Sequence, residues 1–389
     1  MSRFHSYINS AGKAIESYSG GEPFASFLKK FFSLHKKYGS KDRKHISHLC
    51  YCYFRIGKLK EELPVEDRVL VGLFLCSAES NELLQALKPE WNENVALTVN
   101  EKLALLQPVT TDDIFPFTDE LSNGIEKEPF IISHLQQPDL FLRLRPGKGE
   151  KVKQQLKEAG VDYTTLSNTC LALPNASKID AVITLNKDAV VQDYSSQHTG
   201  KFLQSAITNL KSAITAWDCC AASGGKSMML YDLHPTIDLT VSDIRESILV
   251  NLKKRFSEAG ITKYKSMVVD LTRPKPGITN ALFNLIIADV PCSGSGTWGR
   301  TPENLQYINS RKIDEYAALQ KKIVSNVIPH LAPGGYFLYI TCSVFKKENE
   351  EAVDFIQQNS GLQLVKMETL KGYDKKADTL FAALLQSPD

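Results

Sequence analysis

The chain has 389 residues, 43% hydrophobic and 23% charged, with a net charge of +2. That length predicts two or three domains with a full core and no need for disulfide staples. It contains no apolar run long enough to suggest a membrane-spanning helix, and its start, MSRFHSYINS, lacks the apolar core of a secretory signal, so the cytoplasm is the expected compartment.

The small net charge hides an asymmetry. Residues 1–60 carry twelve Lys/Arg against three Asp/Glu, and the rest of the chain carries 34 against 41. Lys29, Lys30, Lys36, Lys37, Lys41, Arg43 and Lys44 alternate with Phe27, Phe31, Phe32 and Tyr38. An amphipathic helix with its aromatics facing the core would give this pattern, but a basic end of this size also attracts polyanions. Lys36, Lys37, Lys41 and Arg43 are therefore candidate RNA contacts, with Arg300 as a further one.

Residues 1–130 read as a helical domain. Apolar residues recur at helical spacing in 46–56 (Ile46, Cys50, Phe54) and 68–76 (Val69, Leu73, Cys76). Thr110 to Thr118 reads as a loop. Residues 131–195 read as a small α+β domain: a strand Leu140–Leu144, a helix over 150–159, and short strands near Cys170–Leu173 and Val190–Gln192. From 196 to 389, strands and helices alternate, which predicts a parallel sheet covered on both faces. The expected strands are Ile214–Asp218, Leu239–Asp243, Met267–Asp270, Leu285–Asp289, Tyr336–Thr341 and Leu380–Leu385. Helices are expected over 225–233, 246–259, 311–331 and 347–358.

Asp218, Asp243, Asp270 and Asp289 each end one of these strands. Ligands of such sheets lie at that edge, so the recurrence predicts a cofactor across it. The first strand runs into Asp218-Cys-Cys-Ala-Ala-Ser-Gly-Gly-Lys-Ser227, a glycine turn opening a helix. A P-loop would need glycine where Cys220 stands. Gly294, Gly296 and Gly299 match G-x-G-x-x-G, but they follow Pro291-Cys292 and precede Thr301-Pro302, a poor helix start. G-x-S-x-G is absent. What fits is S-adenosylmethionine: Asp243 for the ribose hydroxyls, Asp270 for the adenine amine, the glycine turn for the methionine part.

Two further segments carry one cysteine each at the same edge: Asp289-Val-Pro-Cys-Ser-Gly294 and Thr341-Cys-Ser343, followed by Glu348-Asn-Glu350. The eight cysteines show no C-x-x-C pair and no metal spacing with the histidines, so no metal site is expected. Cys50, Cys52, Cys76, Cys170, Cys219 and Cys220 read as inert thiols. Two thiols at one sheet edge point instead to covalent chemistry.

In these motifs, in their order and separation, residues 196–389 resemble the NOP/Sun family of RNA cytosine-5 methyltransferases. The segment Gln192-Asp-Tyr-Ser-Ser-Gln197 is similar to the entry into their catalytic domain. The helical N-terminal region, with Lys41-Asp-Arg43 ahead of Leu49-Cys-Tyr-Cys-Tyr-Phe-Arg55, looks like the NusB-like domain of the bacterial 16S rRNA members, and the middle unit like their RNA-recognition-like domain. The resemblance implies a multidomain protein whose C-terminal domain is a Rossmann-like methyltransferase fold with a mostly parallel seven-stranded sheet. It implies methylation of cytosine carbon 5 in RNA, with small-subunit rRNA the first expectation and tRNA the alternative. Cys342 would attack carbon 6, Cys292 would assist release, Asp289 would hold the base, and Lys226 would help position it. Cys220, Ala221, Ala222, Ser223, Gly224, Gly225, Lys226, Asp243, Asp270 and Asp289 would line the cofactor site. DNA cytosine methyltransferases also use a Pro-Cys motif, which would be Cys292, but lack a second Thr-Cys-Ser. A slow, RNA-binding assembly factor would not need both thiols. A monomer is the default. Ser223 stands where proline is usual, which predicts a looser cofactor loop. Ile248 stands where arginine is common, which predicts a missing or displaced polar contact.

Overall fold

A computed structural model of the chain describes residues 3–210, 213–274 and 281–389. By their contacts they fall into two units. The first comprises Met1–Leu121, Glu126–Gln137 and Thr297–Asn309; the second comprises Ser122–Ile125, Pro138–Gly296 and Ser310–Asp389. Among the described residues no helix is long and apolar enough to cross a membrane.

The first unit is helical. Its longer helices are Arg3–Glu16, Phe24–Leu34, Ser40–Arg55 and Val65–Cys76. The last two start several residues before the apolar stripes that predicted them, because Gly39 and Pro64 set the N-caps. Ile46, Cys50, Phe54, Val69 and Leu73 are all buried, as helical spacing requires. Phe31 and Phe32 of the basic segment are buried too, while Lys29, Lys36, Lys37, Lys41, Arg43 and Lys44 are exposed. The amphipathic reading thus describes the aromatics, and the cations form a surface. The stretch read as a loop, 110–118, contains a 3₁₀ turn at Thr111–Asp113. Buried Arg55 donates to His134 O at 2.7 Å and Gln136 O at 2.8 Å, tying residues 126–137 to this unit.

The second unit contains two sheets. The smaller has four antiparallel strands, β1 (Leu140–Leu144), β2 (Thr164–Ser167), β3 (Cys170–Leu173) and β4 (Ala189–Val191), in the order β2-β3-β1-β4. Leu142, Leu144, Leu171 and Leu173 pack against Val152 and Leu156 of the helix Gly149–Glu158. β2 escapes the sequence reading because its Thr-Thr-Leu-Ser carries no buried residue.

The larger sheet has seven strands: β5 (Thr215–Asp218), β6 (Asp238–Asp243), β7 (Lys265–Val268), β8 (Phe283–Asp289), β9 (Leu331–Thr341), β10 (Gln363–Leu370) and β11 (Leu380–Gln386). Their order is β10-β11-β9-β8-β5-β6-β7. The five from β9 to β7 are parallel, and β11 runs antiparallel between β9 and β10. Central parallel strands are buried on both faces and read as apolar runs. Ala216, Val241, Leu285, Ile287, Leu338 and Ile340 pack on one side with Leu203, Met228, Leu252 and Phe256. Trp217, Ile286, Ala288, Phe337 and Tyr339 pack on the other with Ile323, Val324, Val353 and Ile356. This is the doubly covered, Rossmann-like sheet expected. β7 stops at Val268, two residues before Asp270, and β10 is a strand the sequence reading lacked.

Candidate active site

The carboxyl ends of β5, β6 and β8 open onto a cavity of about 570 Å³. Its walls include Cys220 and Ala222 after β5, Asp243, Ile244 and Arg245 after β6, and Asp270 with Leu271 and Thr272 beyond β7. Asp289, Pro291 and Cys292 after β8, and Cys342 after β9, complete it at the sheet edge. Leu319 and Ile323 face it from the helix Ser310–Val327. Of the predicted site residues, Ala221, Ser223, Gly224, Gly225 and Lys226 are not in the wall; they form the loop and helix start beside it.

The two cysteines meet. Cys292 Sγ lies 3.1 Å from Cys342 Sγ, both as free thiols. The hydrogen bond to Cys342, followed by burial and the nearby charge of Glu348, holds the Cys292 thiol well above its usual pKa. Lys226 Nζ donates to Asp289 Oδ2 at 2.6 Å, and both side chains are largely sheltered. Desolvation pushes the Lys226 pKa down, but the Asp289 carboxylate more than offsets it; Cys342 lies near enough to act in the same direction.

A buried carboxylate joins the two cysteine loops. Glu348 Oε2 accepts from the Ser293 amide at 2.8 Å and from Gln320 Nε2 at 2.9 Å, and Oε1 accepts from Ser343 Oγ at 2.7 Å. Ser293 follows Cys292 and Ser343 follows Cys342, so one side chain registers both thiols. Asn349 extends the clamp: its Nδ2 donates to Ser343 O at 2.9 Å and Ser122 Oγ at 2.8 Å, and its Oδ1 accepts from Thr341 Oγ1 at 2.5 Å. Glu350 takes the Asn123 amide at 2.8 Å and Ser122 Oγ at 2.9 Å. The Glu-Asn-Glu run was visible in the sequence. Its roles were not, because Ser293, Gln320, Ser122 and Asn123 reach it from distant segments.

The four aspartates do different things. Asp218 is buried, accepts from Ser227 Oγ at 2.5 Å and does not reach the cavity; desolvation lifts its carboxyl to about 7. It anchors the first turn of the helix Gly225–Leu233 where the sequence pattern placed it at the ligand edge. Asp243 accepts the Ala222 amide at 3.0 Å, and the Arg245 amide and Nε at 2.9 and 3.0 Å, with Arg245 Nη2 at 3.2 Å. Desolvation opposes its charge, yet these bonds hold its carboxyl below the usual range. Asp270 accepts Thr272 Oγ1 at 2.6 Å and the Thr272 amide at 3.0 Å on Oδ1, and Arg273 Nε at 3.0 Å on Oδ2.

An adenosyl group fits these acceptors and walls. Asp270 Oδ2 keeps an acceptor position for an exocyclic amine. The Arg245 side chain is 59% exposed and can swing off Asp243 in favour of two ribose hydroxyls. Ile244, Leu271 and Ile323 give apolar surface for a base. Gly224, at φ +81°, has no room for a side chain: a Cβ there would lie 2.6 Å from Phe256 Cε1.

The mostly parallel sheet and the cavity at its carboxyl edge define a Rossmann-like fold. A methyltransferase homologue from Pyrococcus horikoshii has the same fold, with 18% identity, a TM-score of 0.59, and coverage of 74% of this chain and 98% of that one. Residues 205–384 match the family model described as 16S rRNA methyltransferase RsmB/F. Ribosomal RNA small subunit methyltransferase B of Xanthomonas campestris is 27% identical over 255 residues, covering 62% of this chain and 55% of the relative. A probable small subunit methyltransferase B of Synechocystis is 26% identical over 318 residues, covering 77% and 70%. The chain thus spans about half the length of the first of these relatives.

Proposed function

We propose that the protein is an S-adenosylmethionine-dependent RNA methyltransferase that acts on carbon 5 of a cytosine in small-subunit rRNA. The observation that carries this reading is the pair of thiols, 3.1 Å apart, beside the Lys226–Asp289 ion pair at the wall of the cavity. The matched family and the small-subunit relatives support the RNA class.

Cytosine carbon 5 is a weak nucleophile, and a thiolate adding at carbon 6 turns the ring into an enamine. Cys342, which lies near the Lys226 cation, takes the role of nucleophile that the family resemblance implies, with Cys292 3.1 Å away as its partner thiol. Asp289 Oδ2 is bonded to Lys226, and its other oxygen would accept from the exocyclic amine as the adduct forms. When bound, the sulfonium donor supplies the electrophilic methyl group. Asp243 and Asp270 would hold its ribose and adenine, and Ile244 and Leu271 would exclude water from the adenine ring. A base then takes the carbon 5 proton, its electron pair restores the C5–C6 double bond, the C6–sulfur bond breaks, and Cys342 departs as thiolate, with Cys292 assisting this release. A base paired within a helix must first be flipped out.

The test is covalent trapping. Cys292→Ala, mixed with S-adenosylmethionine and small-subunit rRNA, is expected to accumulate a protein–RNA adduct on a denaturing gel, and Cys342→Ala to give none. An adduct with Cys342→Ala reverses the assignment. Bisulfite sequencing of rRNA and tRNA from cells with and without the gene identifies the substrate, and loss of a tRNA cytosine alone would overturn the rRNA reading.

A further inference from the structure

The loop after β5 is held by two bonds to Ser223, one of which, to its hydroxyl, a proline could not accept. Ala222 has φ +45° and Gly224 φ +81°, so the backbone turns left-handed on both sides of Ser223. A left-handed alanine is strained and persists only where its surroundings fix it. Arg255, on the helix Glu246–Ala259, does so: its Nη1 donates to Ser223 O at 2.8 Å and to Ser223 Oγ at 2.7 Å. The same guanidinium reaches the small sheet through Nε, which donates to Asn186 Oδ1 at 3.1 Å in the turn before β4. Asn186 is itself left-handed, at φ +63°. It is fixed by Arg145 Nη1 on its carbonyl at 3.0 Å and by its own Nδ2 on Glu258 Oε2 at 2.8 Å. Arg255 is not in the cavity wall, whereas Ala222 is.

We propose that Arg255 is a positioning residue for the methyl donor: pinned to the Asn186 turn, it holds Ser223 and so sets the Ala222–Gly224 backbone against which the donor lies. Ser223 therefore does not loosen the loop. Its hydroxyl replaces a proline's rigidity with a bond to Arg255. The inference rests on the S-adenosylmethionine reading above.

Isothermal titration of S-adenosylmethionine into the full chain tests it. Arg255→Met is expected to raise Kd about tenfold, Arg255→Lys to raise it less, and Ser223→Ala to raise it two- to threefold. The Ser223→Ala effect should largely vanish in the Arg255→Met background, since both act through one contact. A merely structural role would lower the melting temperature and the fraction of competent sites while leaving Kd in place. If Arg255→Met does not fold, Arg255→Lys and Ser223→Ala carry the same comparison. Wild-type binding with unchanged Kd in these variants overturns the role of Arg255 alone. No binding by the wild type overturns the donor reading together with it.

Discussion

Glu348 has its carboxylate wholly inside the protein, and two of its three donors, Gln320 and Ser293, come from other parts of the chain, 28 and 55 residues away. Glu348→Gln keeps the volume but turns an NH₂ toward at least one donor. A buried polar group left facing a like partner costs on the order of 1–3 kcal/mol. Because the donors adjoin the two cysteines, that disturbance falls on the thiols: turnover with RNA should drop by at least about tenfold, out of proportion to a modest fall in melting temperature. Stopped or single-turnover methylation assays beside thermal melts check this. Asp218 gives a pH test. Desolvation raises its folded pKa to about 7 from an ordinary 3.8. Between those values the unfolded chain gives up a proton that the folded chain keeps, so folding loses stability as pH rises from about 4 to about 7. Asp218→Asn removes that slope, and the wild-type and variant melting curves should converge at low pH and separate toward neutrality. The thiols and Asp289 were legible in the sequence because each sits beside its own proline, serine or glycine signature. The Glu348 clamp and the inward turn of Asp218 were not, since both depend on partners that only the folded chain brings near.

The strands that build the site were read from runs of buried residues: Phe283–Asp289 and the last part of Leu331–Thr341 have almost no polar positions to break the pattern. β10 carries exposed Val365 and Met367 and alternating charges, the pattern of an edge strand, and its partner β11 defines it more than its own sequence does. The helix expected over 347–358 begins later, at Glu350, because Asn349 leaves the helical region at φ −111°, ψ −95° and spends its side chain on the clamp. The cysteine loops depend on close backbone approach at Gly296. Its amide donates to Cys342 O at 2.9 Å and its carbonyl accepts the Thr379 amide at 2.9 Å. A Cβ there would fall 1.8 Å from Thr379 O, a backbone atom with no freedom to yield. Gly296→Ala must therefore push the loop after Cys292 away from Cys342. We expect loss of the covalent RNA adduct together with a destabilisation of roughly 1–3 kcal/mol, comparable to overpacking elsewhere in a core. Normal adduct formation by this variant would show that the two loops are not held by this contact.

At the scale of the whole molecule the charge asymmetry is the property that the sheet alone does not explain. Of the helical domain proposed at 1–130, ahead of a small α+β domain at 131–195 and a catalytic domain at 196–389, only the first sixty residues carry the excess positive charge, twelve Lys/Arg against three Asp/Glu. The structure places Lys36, Lys37, Lys41 and Arg43 on that unit's exposed surface, with the Arg43 guanidinium lying 5.8 Å from the Phe32 ring centroid and its Nε bonded to Tyr38 O at 2.9 Å. Arg300 is half-buried in the segment Thr297–Asn309 and offers less surface to a ligand. If the four exposed cations meet phosphates, each releases bound counterions, and the slope of log K against log salt scales with their number. Replacing all four by neutral residues should lower that slope by about 3 and weaken RNA binding most at low salt, without changing the Kd for S-adenosylmethionine. Binding isotherms for an rRNA fragment between low and physiological salt measure the slope directly. An unchanged slope would mean that these cations only solvate a helical face, and that the RNA is gripped by the second unit alone.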